Sequence, residues 1–143
     1  MIVLDTTVLV YATGAEHEMQ SPCRRLVRAI AAGQVSATTT VEVIQEYAHV
    51  RARRHGRTAA AHDAGRFAEL LAPLLVVSES VLRDGLRVFA ETTRLGSFDA
   101  VLAAATVGSG ADALISADAA FAAVPGLAHL DPSDAAIEPL LQG

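Results

Sequence analysis

The amino-acid sequence predicts an α/β protein, a three-layer α/β/α sandwich with a central parallel sheet. Short apolar segments of strand length alternate along the chain with longer segments whose apolar residues recur at helical spacing. This alternation of buried strands and helices is typical of parallel sheets that helices cover on both faces. The 143 residues suit one compact domain with a real core, and they contain neither a linker nor an internal repeat. We therefore expect a single domain over residues 1–143.

The first half of the chain is predicted to begin with a strand and to continue mainly as helices. Residues 1–5 form a short β-branched strand that ends in a polar residue, and Thr6-Thr7 cap the helical run that follows. Ser21-Pro22 begins a second helix, which Gly33 ends. A brief strand near Val35 leads into a third helix. The apolar residues at helical spacing in that helix are Val43, Ile44, Tyr47 and Val50.

Glycine, proline and serine residues mark the element boundaries in the second half. Gly56 ends the third helix, and a fourth helix follows until Pro73 stops the chain from continuing as a helix. Residues 74–77 are predicted as a strand, and Ser78 or Ser80 caps a fifth helix. The remaining predictions are a helix of small residues over 98–107, a buried strand over 113–116, a short strand near 127–130 and a proline-containing tail.

Composition narrows the classes of protein to consider. No apolar stretch is long enough to cross a membrane, and the N-terminal run lacks the basic start of a signal peptide. Cys23 is the single cysteine and cannot form an intramolecular disulfide, so we expect a core residue in a cytoplasmic protein. The formal net charge of −5 argues against nonspecific nucleic-acid binding. A hydrophobic content of 52% favours a homodimer that buries apolar surface, although alanine-rich helices account for it equally well.

Four acidic residues each lie where an apolar element ends or faces a cleft. Asp5 closes the first strand, and Asp118 follows the strand at 113–116. Because the carboxyl ends of parallel strands meet at one edge of a sheet, these two side chains should lie close together. Asp99 begins a helix, and Glu46 lies on the third helix. Gathered carboxylates repel one another, so the set predicts a cation site.

Simpler interpretations exist for three of these acids. Asp99 suits a helix N-terminus because the helix dipole favours acids there, and Asp118 suits a cap for the turn that follows it. Glu42 lies one turn before Glu46 and satisfies the same helix-face argument.

Taken together, the motifs around these acids resemble the PIN domain. The segments that carry the resemblance are Leu4-Asp5-Thr6-Thr7-Val8-Leu9, Gln45-Glu46-Tyr47, Phe98-Asp99-Ala100 and Ile115-Ser116-Ala117-Asp118. No single segment is specific, but their order and spacing are, and they cover essentially the whole chain. The resemblance is greatest to the VapC-type toxins of bacterial toxin–antitoxin pairs.

The resemblance implies a set of site residues. It places the metal-binding acids on Asp5, Glu46, Asp99 and Asp118. It places hydroxyl groups that hold these carboxylates on Thr6 and Ser116. Glu42 competes with Glu46 for its position, and Asp112 is an alternative for Asp118.

Such a carboxylate site would bind Mg²⁺, with Mn²⁺ as a substitute, rather than zinc. Zinc would call for cysteine and histidine ligands, and neither is grouped in this sequence. Cys23 is alone, and His49 is the only histidine close to Glu46 in the sequence. The scattered histidines are His17, His49, His55, His62 and His129.

The implied function is a Mg²⁺-dependent endoribonuclease that acts as a toxin and leaves a 5′ phosphate and a 3′ hydroxyl. A cognate VapB-type antitoxin would silence it by filling the groove at the site, and a homodimer would align two sites along one groove. Because an acidic pocket repels phosphate, nearby cations must help to bind the RNA. The candidates are Arg51, Arg53, Arg54 and Arg94.

Other functions fit the sequence less well. A phosphatase of the haloacid-dehalogenase type needs a second acid two residues after Asp5, where Thr7 stands. A receiver-type regulatory module needs a lysine near its last strand, and this chain contains none. A catalytically silent PIN-fold scaffold that binds RNA or protein, or an orphan RNA-processing nuclease, would keep the fold. A metal-dependent rise in melting temperature would separate the scaffold from an enzyme.

Overall fold

The computed structural model of the protein describes residues 1–142, which form four strands and the helices between and after them. The strands are β1 Ile2–Leu4, β2 Ala37–Thr38, β3 Ala113–Ile115 and β4 His129–Leu130. The helices are α1 Thr6–Thr13, α2 Gln20–Ala31, α3 Val41–His55, α4 Arg57–Leu70, α5 Glu79–Glu91, α6 Ser97–Gly108 and α7 Asp134–Gln142. A short 3₁₀ helix, Ala119–Ala123, lies between β3 and β4.

The four strands form one parallel sheet in the order β2-β1-β3-β4. Val3 of β1 pairs with Thr38 on one side and with Leu114 on the other. Helices flank this sheet, which confirms the predicted three-layer α/β/α sandwich with a parallel centre. The chain leaves β1 toward β2 and returns on the opposite side as β3, so the strand order reverses beside β1. In open α/β sheets, ligands bind at the carboxyl ends of the strands at such a reversal.

Side-chain caps set the starts of two helices that the sequence predicts. The Thr40 hydroxyl accepts a hydrogen bond from the Val43 amide at 3.3 Å and begins α3. The Ser78 hydroxyl accepts from the Val81 amide at 3.2 Å, so Ser78 rather than Ser80 caps α5. Gly56 separates α3 from α4 with a φ of 84°, a conformation that favours glycine.

The predicted strand at residues 74–77 is wrong. Only Leu75 pairs there, through an isolated bridge to Thr40 in which its amide donates to the Thr39 carbonyl at 2.8 Å. Val76 is 79% exposed, so this apolar segment runs past the end of β2 without joining the sheet. Apolar residues alone therefore did not distinguish a strand from an extended connection.

Smaller differences concern element boundaries. The second strand begins at Ala37 rather than near Val35. Asp5, not the Thr6-Thr7 pair, occupies the capping position of α1. The C-terminal tail forms α7, because Ile137 is buried and Arg25 of α2 pairs with Asp134 at 2.8 Å.

The two central strands form the middle of the core. Val3, Leu4, Leu114 and Ile115 are fully buried. Cys23 of α2 is also buried, and burial raises the pKa of its thiol to about 12, which agrees with the predicted role of a core residue. Within residues 1–142, no helix is long and apolar enough to cross a membrane.

Candidate active site

The four predicted acids line one cavity of about 480 Å³ beside the carboxyl ends of β1 and β3. They are Asp5, Glu46, Asp99 and Asp118. Each comes from a different part of the fold: the end of β1, the middle of α3, the first turn of α6 and the turn after β3. The cavity therefore lies at the reversal of strand order, where the topology predicts a ligand site.

Asp5 is the most rigidly held of the four carboxylates. Its side chain is only 4% exposed, and its amide donates to the Ile115 carbonyl at 3.0 Å, which ties the residue to β3. The Asp5 Oδ2 atom accepts hydrogen bonds from Ser116 Oγ at 2.7 Å and from Thr7 Oγ1 at 2.9 Å. Both bonds use Oδ2. Within the described residues no hydrogen bond is donated to Oδ1, so that atom is available to a cation.

Ser116 connects Asp5 to Asp118. Its hydroxyl donates to Asp5 and accepts from the Asp118 amide at 3.0 Å. The Asp118 Oδ1 atom accepts from the Ala120 amide at 2.9 Å, so this residue does cap the 3₁₀ helix. Asp118 therefore combines the capping role with a place on the cavity wall.

The structure separates Glu46 from its competitor Glu42. Thr6 Oγ1 donates to Glu46 Oε2 at 2.6 Å, which links α1 to α3 at the cavity. Glu42 lies one turn earlier on α3 and lines the neighbouring groove but not the cavity. Of these two glutamates of α3, Glu46 is the one that lines the cavity with the three aspartates.

The environment of Asp99 disfavours its charged form. Burial, followed by the charges of Asp5, Glu46 and Asp118, raises the pKa of Asp99 from 3.8 to about 6. Repulsion of this kind requires the acids to be near one another. It also marks Asp99 as the carboxylate whose ionised form would benefit most from a nearby cation.

The donor chemistry of the cavity fits a hard divalent cation. Within residues 1–142, no three acidic, histidine or cysteine side chains already converge as a complete ligand set. Mg²⁺ keeps several of its waters and needs only one or two direct carboxylate ligands, so a partly open carboxylate cavity suits it. The acids here supply such ligands, and the cation would relieve the repulsion at Asp99.

Comparison with known proteins identifies the family. Residues 2–127 match the PIN domain. The chain is also 49% identical to Ribonuclease VapC7 of Mycobacterium tuberculosis over 146 aligned positions, which cover 99% of this chain and 98% of that protein.

The chain is a PIN-domain protein of the VapC type. Solved structures agree with this fold. The crystal structure of VapBC2 from Rickettsia felis, bound to a DNA fragment from its promoter, superposes with a TM-score of 0.70 at 16% identity, covering 92% of this chain and 98% of that one. VapC20 of M. tuberculosis, a toxin that cleaves the sarcin-ricin loop, superposes with a TM-score of 0.69 at 17% identity, covering 89% of this chain and 98% of that one.

Asp112, the alternative to Asp118, is not at the site of this VapC-type protein. It precedes β3 and pairs with the ammonium group of Met1, at the amino-terminal edge of the sheet. The strand therefore separates it from the cavity.

The four predicted arginines occupy different environments. Arg54 lines the acidic cavity. Arg51 is largely engaged within the fold, because its Nε donates to Asp63 at 2.9 Å and its Nη1 to the Thr13 carbonyl at 3.1 Å. Arg53 and Arg94 are exposed and do not line the cavity. Arg54 is thus the best placed of the four for a phosphate at the acids.

Several residues at the cavity were given no role there from the sequence, among them Thr7, Tyr11, Glu16 and His17. Thr7 holds Asp5 and also accepts from the Ala117 amide at 3.1 Å, whereas only Thr6 was predicted for such a role. Tyr11 and His17 line the cavity wall, while His49, the histidine nearest to Glu46 in sequence, lines the neighbouring groove. Helical spacing carries a signal for Tyr11, which lies one turn after Thr7 on α1.

Proposed function

We propose that this VapC-type protein is a Mg²⁺-dependent endoribonuclease and the toxin of a toxin–antitoxin pair. The observation that carries the proposal is that four carboxylates line one cavity, where burial and then the charges of the other three raise the pKa of Asp99. A relative with 49% identity over nearly the whole chain is named a ribonuclease, which supports RNA as the substrate. Such an enzyme would work in the cytoplasm, where RNA is found.

In this proposal, each acid has a stated role. Asp5, Asp99 and Asp118 would hold the ion, and Glu46 would bind it through a water or orient the attacking water. When bound, Mg²⁺ supplies a more acidic water and neutralises charge on the phosphate oxygens. Thr6 fixes the Glu46 carboxylate, and the Ser116 and Thr7 hydroxyls keep the Asp5 carboxylate in one orientation.

The cavity must also attract a phosphate despite its acids. The Arg54 guanidinium supplies a positive charge on the same wall as Glu46, because both residues lie on α3. Arg53 lies beside it on the exposed end of α3 and Arg94 precedes α6, so both would contact RNA outside the cavity. Arg51, bound to Asp63, would orient this end of α3 rather than bind RNA directly.

Substitution of the acids tests the catalytic proposal. Asp5→Asn and Asp99→Asn should each lower Mg²⁺-dependent cleavage of cellular RNA by at least about 100-fold, the usual scale for losing one electrostatic contact to a transition state. Glu42→Gln is the matched control, since Glu42 lies on the same helix as Glu46 but outside the cavity. Full cleavage by a folded Asp5→Asn protein would refute the proposal.

Metal binding separates an enzyme from a silent scaffold. Mg²⁺ at 100 times its dissociation constant stabilises a protein by about 2.7 kcal/mol, so the melting temperature should rise by several degrees and fall again with a chelator. The rise should be much smaller in Asp5→Asn. No rise in the unsubstituted protein would favour the scaffold, whereas the absence of a small DNA-binding protein encoded beside this gene would favour an orphan RNA-processing nuclease.

A VapB-type antitoxin is the proposed protein partner. The R. felis VapC-type neighbour was solved as a VapBC complex. In this chain, the acidic cavity would attract a basic segment of such a partner, which would exclude RNA from the acids. If a small protein is encoded beside this gene, co-expression with it should yield a stable complex that no longer cleaves RNA.

We also propose a homodimer, through an apolar groove beside the acidic cavity. The groove lies between α3, α5 and α6 and has a volume of about 860 Å³. Phe98 on its wall is 81% exposed, and Leu82 and Leu86 are 42% and 48% exposed. Because Glu46 and Asp99 line both the groove and the cavity, a second copy seated here would place two sites close together.

A further inference from the structure

Two aromatic rings stack at the wall of the acidic cavity. The Tyr11 and His17 ring centroids are 4.5 Å apart with an interplanar angle of 21°, and both residues line the cavity together with the four acids. Neither ring has a part in the metal chemistry. We propose that the pair is a stacking platform for one RNA base beside the scissile phosphate, an inference that rests on the proposed ribonuclease function.

The position of Tyr11 places the platform next to the acids. Tyr11 follows Thr7 by one turn on α1, so both side chains lie on the same face of the helix. Four residues of helix span about 6 Å. Because Thr7 holds the Asp5 carboxylate, a phosphate at Asp5 would have its neighbouring base within reach of Tyr11.

His17 is held in place by the connection between α1 and α2. Its Nδ1 accepts from the Met19 amide at 3.1 Å, and its carbonyl accepts from the Gln20 amide at 2.9 Å. The Gln20 side chain donates to the Gly14 carbonyl at 2.8 Å, which closes the same loop. An aromatic surface ordered before binding loses little conformational entropy when a ligand arrives.

Stacking suits this cavity because charge alone binds RNA poorly here. The protein carries a net charge of −5, and the acids repel phosphate. Single-stranded RNA is commonly bound by stacking its bases on Tyr and His rings, an interaction that does not depend on charge.

The first experiment compares two small probes that differ only in the base. Adenosine 5′-monophosphate and ribose 5-phosphate are titrated into the full-length protein with Mg²⁺, while NMR follows the ring protons of Tyr11 and His17. The nucleotide should bind at least tenfold more tightly and shift both rings upfield, because one stacked base contributes roughly that factor. Equal binding of the two probes would overturn the proposal.

Three variants test the rings themselves. Tyr11→Leu and His17→Ala should each remove most of the advantage of the nucleotide over ribose 5-phosphate. Tyr11→Phe, which keeps the ring and loses only the hydroxyl, should retain it. If Tyr11→Leu and His17→Ala both keep the full advantage, the platform does not exist.

RNA cleavage distinguishes failure of this inference from failure of the proposed function. With an RNA that the unsubstituted protein cleaves, Tyr11→Leu should raise KM roughly tenfold and leave kcat nearly unchanged, as expected for lost binding. Cleavage without any nucleotide advantage would refute the platform alone. A nucleotide advantage without cleavage of any RNA would refute the ribonuclease and leave a nucleotide-binding site.

Discussion

At the residue scale, hydroxyl groups determine how the carboxylates of the cavity present their oxygens. Ser116 and Thr7 both bind the same oxygen of Asp5, and Thr6 binds one oxygen of Glu46. Each bond fixes a carboxylate that would otherwise rotate. The hydroxyls thus prepare the site for a cation without contributing charge to it.

The raised pKa of Asp99 predicts how pH affects the metal-free protein. Burial and the neighbouring acids raise the pKa of Asp99 to about 6 in the folded state, whereas it is 3.8 for the carboxyl group in water. Between these values the folded state binds more protons than the unfolded state, so stability should fall as pH rises through this window. Above about pH 6, the destabilisation caused by ionising Asp99 no longer changes with pH.

Asp99→Asn should remove this dependence. In the presence of a chelator, the variant should melt a few degrees higher than the unsubstituted protein at pH 7. At pH 4 most of the difference should vanish, because Asp99 is then protonated in the folded state and roughly half protonated in the unfolded state. Thermal melting in steps between pH 4 and pH 8 measures the effect. A constant difference at all pH values would contradict the assigned cause.

Removal of the Thr6 hydroxyl tests its hold on Glu46. Thr6→Val keeps the shape of the side chain and loses the 2.6 Å hydrogen bond. Cleavage or Mg²⁺ affinity should drop about 10- to 100-fold, the usual effect of losing a partner that orients a metal ligand. Thr6→Ser retains a hydroxyl and should stay within a few fold of the unsubstituted protein. Equal loss in both variants would mean that packing, not the hydrogen bond, matters here.

At the element scale, close contact between α5 and α6 positions Asp99. α6 carries Asp99 in its first turn. Among the described residues of α5, Gly85 is the one that is buried. A Cβ atom at Gly85 would lie 2.6 Å from Val101 Cγ2 and 2.7 Å from Val101 Cα. The missing side chain therefore lets the two helices approach each other.

Gly85→Ala should accordingly push α5 away from α6. Overpacking of this kind costs about 1–3 kcal/mol, which exceeds the gain from better helix propensity. Gly65→Ala is the matched control, because Gly65 lies inside α4 with no atom within 4 Å of its Cβ position, and it should stabilise by about 0.5–1 kcal/mol. Urea unfolding of both variants measures the difference. Equal stabilisation of the two would show that the helices are not in close contact.

At the scale of the whole molecule, the apolar groove beside the cavity predicts self-association. Monomeric proteins rarely expose a large apolar patch without a function. Leu86→Lys should weaken the dimer, because it would bury a charge without a partner. Val107→Lys is the control: Val107 is also apolar and 45% exposed, but it lies on α6 outside the groove.

Sedimentation velocity over a range of concentrations measures the outcome. The unsubstituted protein and Val107→Lys should sediment as dimers at concentrations where Leu86→Lys sediments as a monomer. A monomer in all three proteins would exclude the proposed dimer. RNA cleavage by the monomeric variant would then show whether one site is sufficient.

Local sequence patterns predicted most of the order of elements and suggested the four acids that line one cavity in the structure. Buried strands such as β1 and β3 are short and apolar, and turn residues such as Gly56 end helices wherever they occur. These preferences act over a few residues, so they are visible in the sequence. The order and spacing of the motifs around Asp5, Glu46, Asp99 and Asp118 indicated the PIN-domain family.

Only the tertiary structure decided which residues meet. Glu42 and Glu46 are equivalent on an isolated helix, and the Thr6 hydroxyl from α1 distinguishes them. Residues 74–77 are apolar enough for a strand, yet β2 ends at Thr38, and within the described residues only Leu75 forms a bridge, to Thr40. The Tyr11–His17 stack depends on the loop between α1 and α2. Such contacts depend on how separate elements pack, and local preference in the sequence carries no information about that.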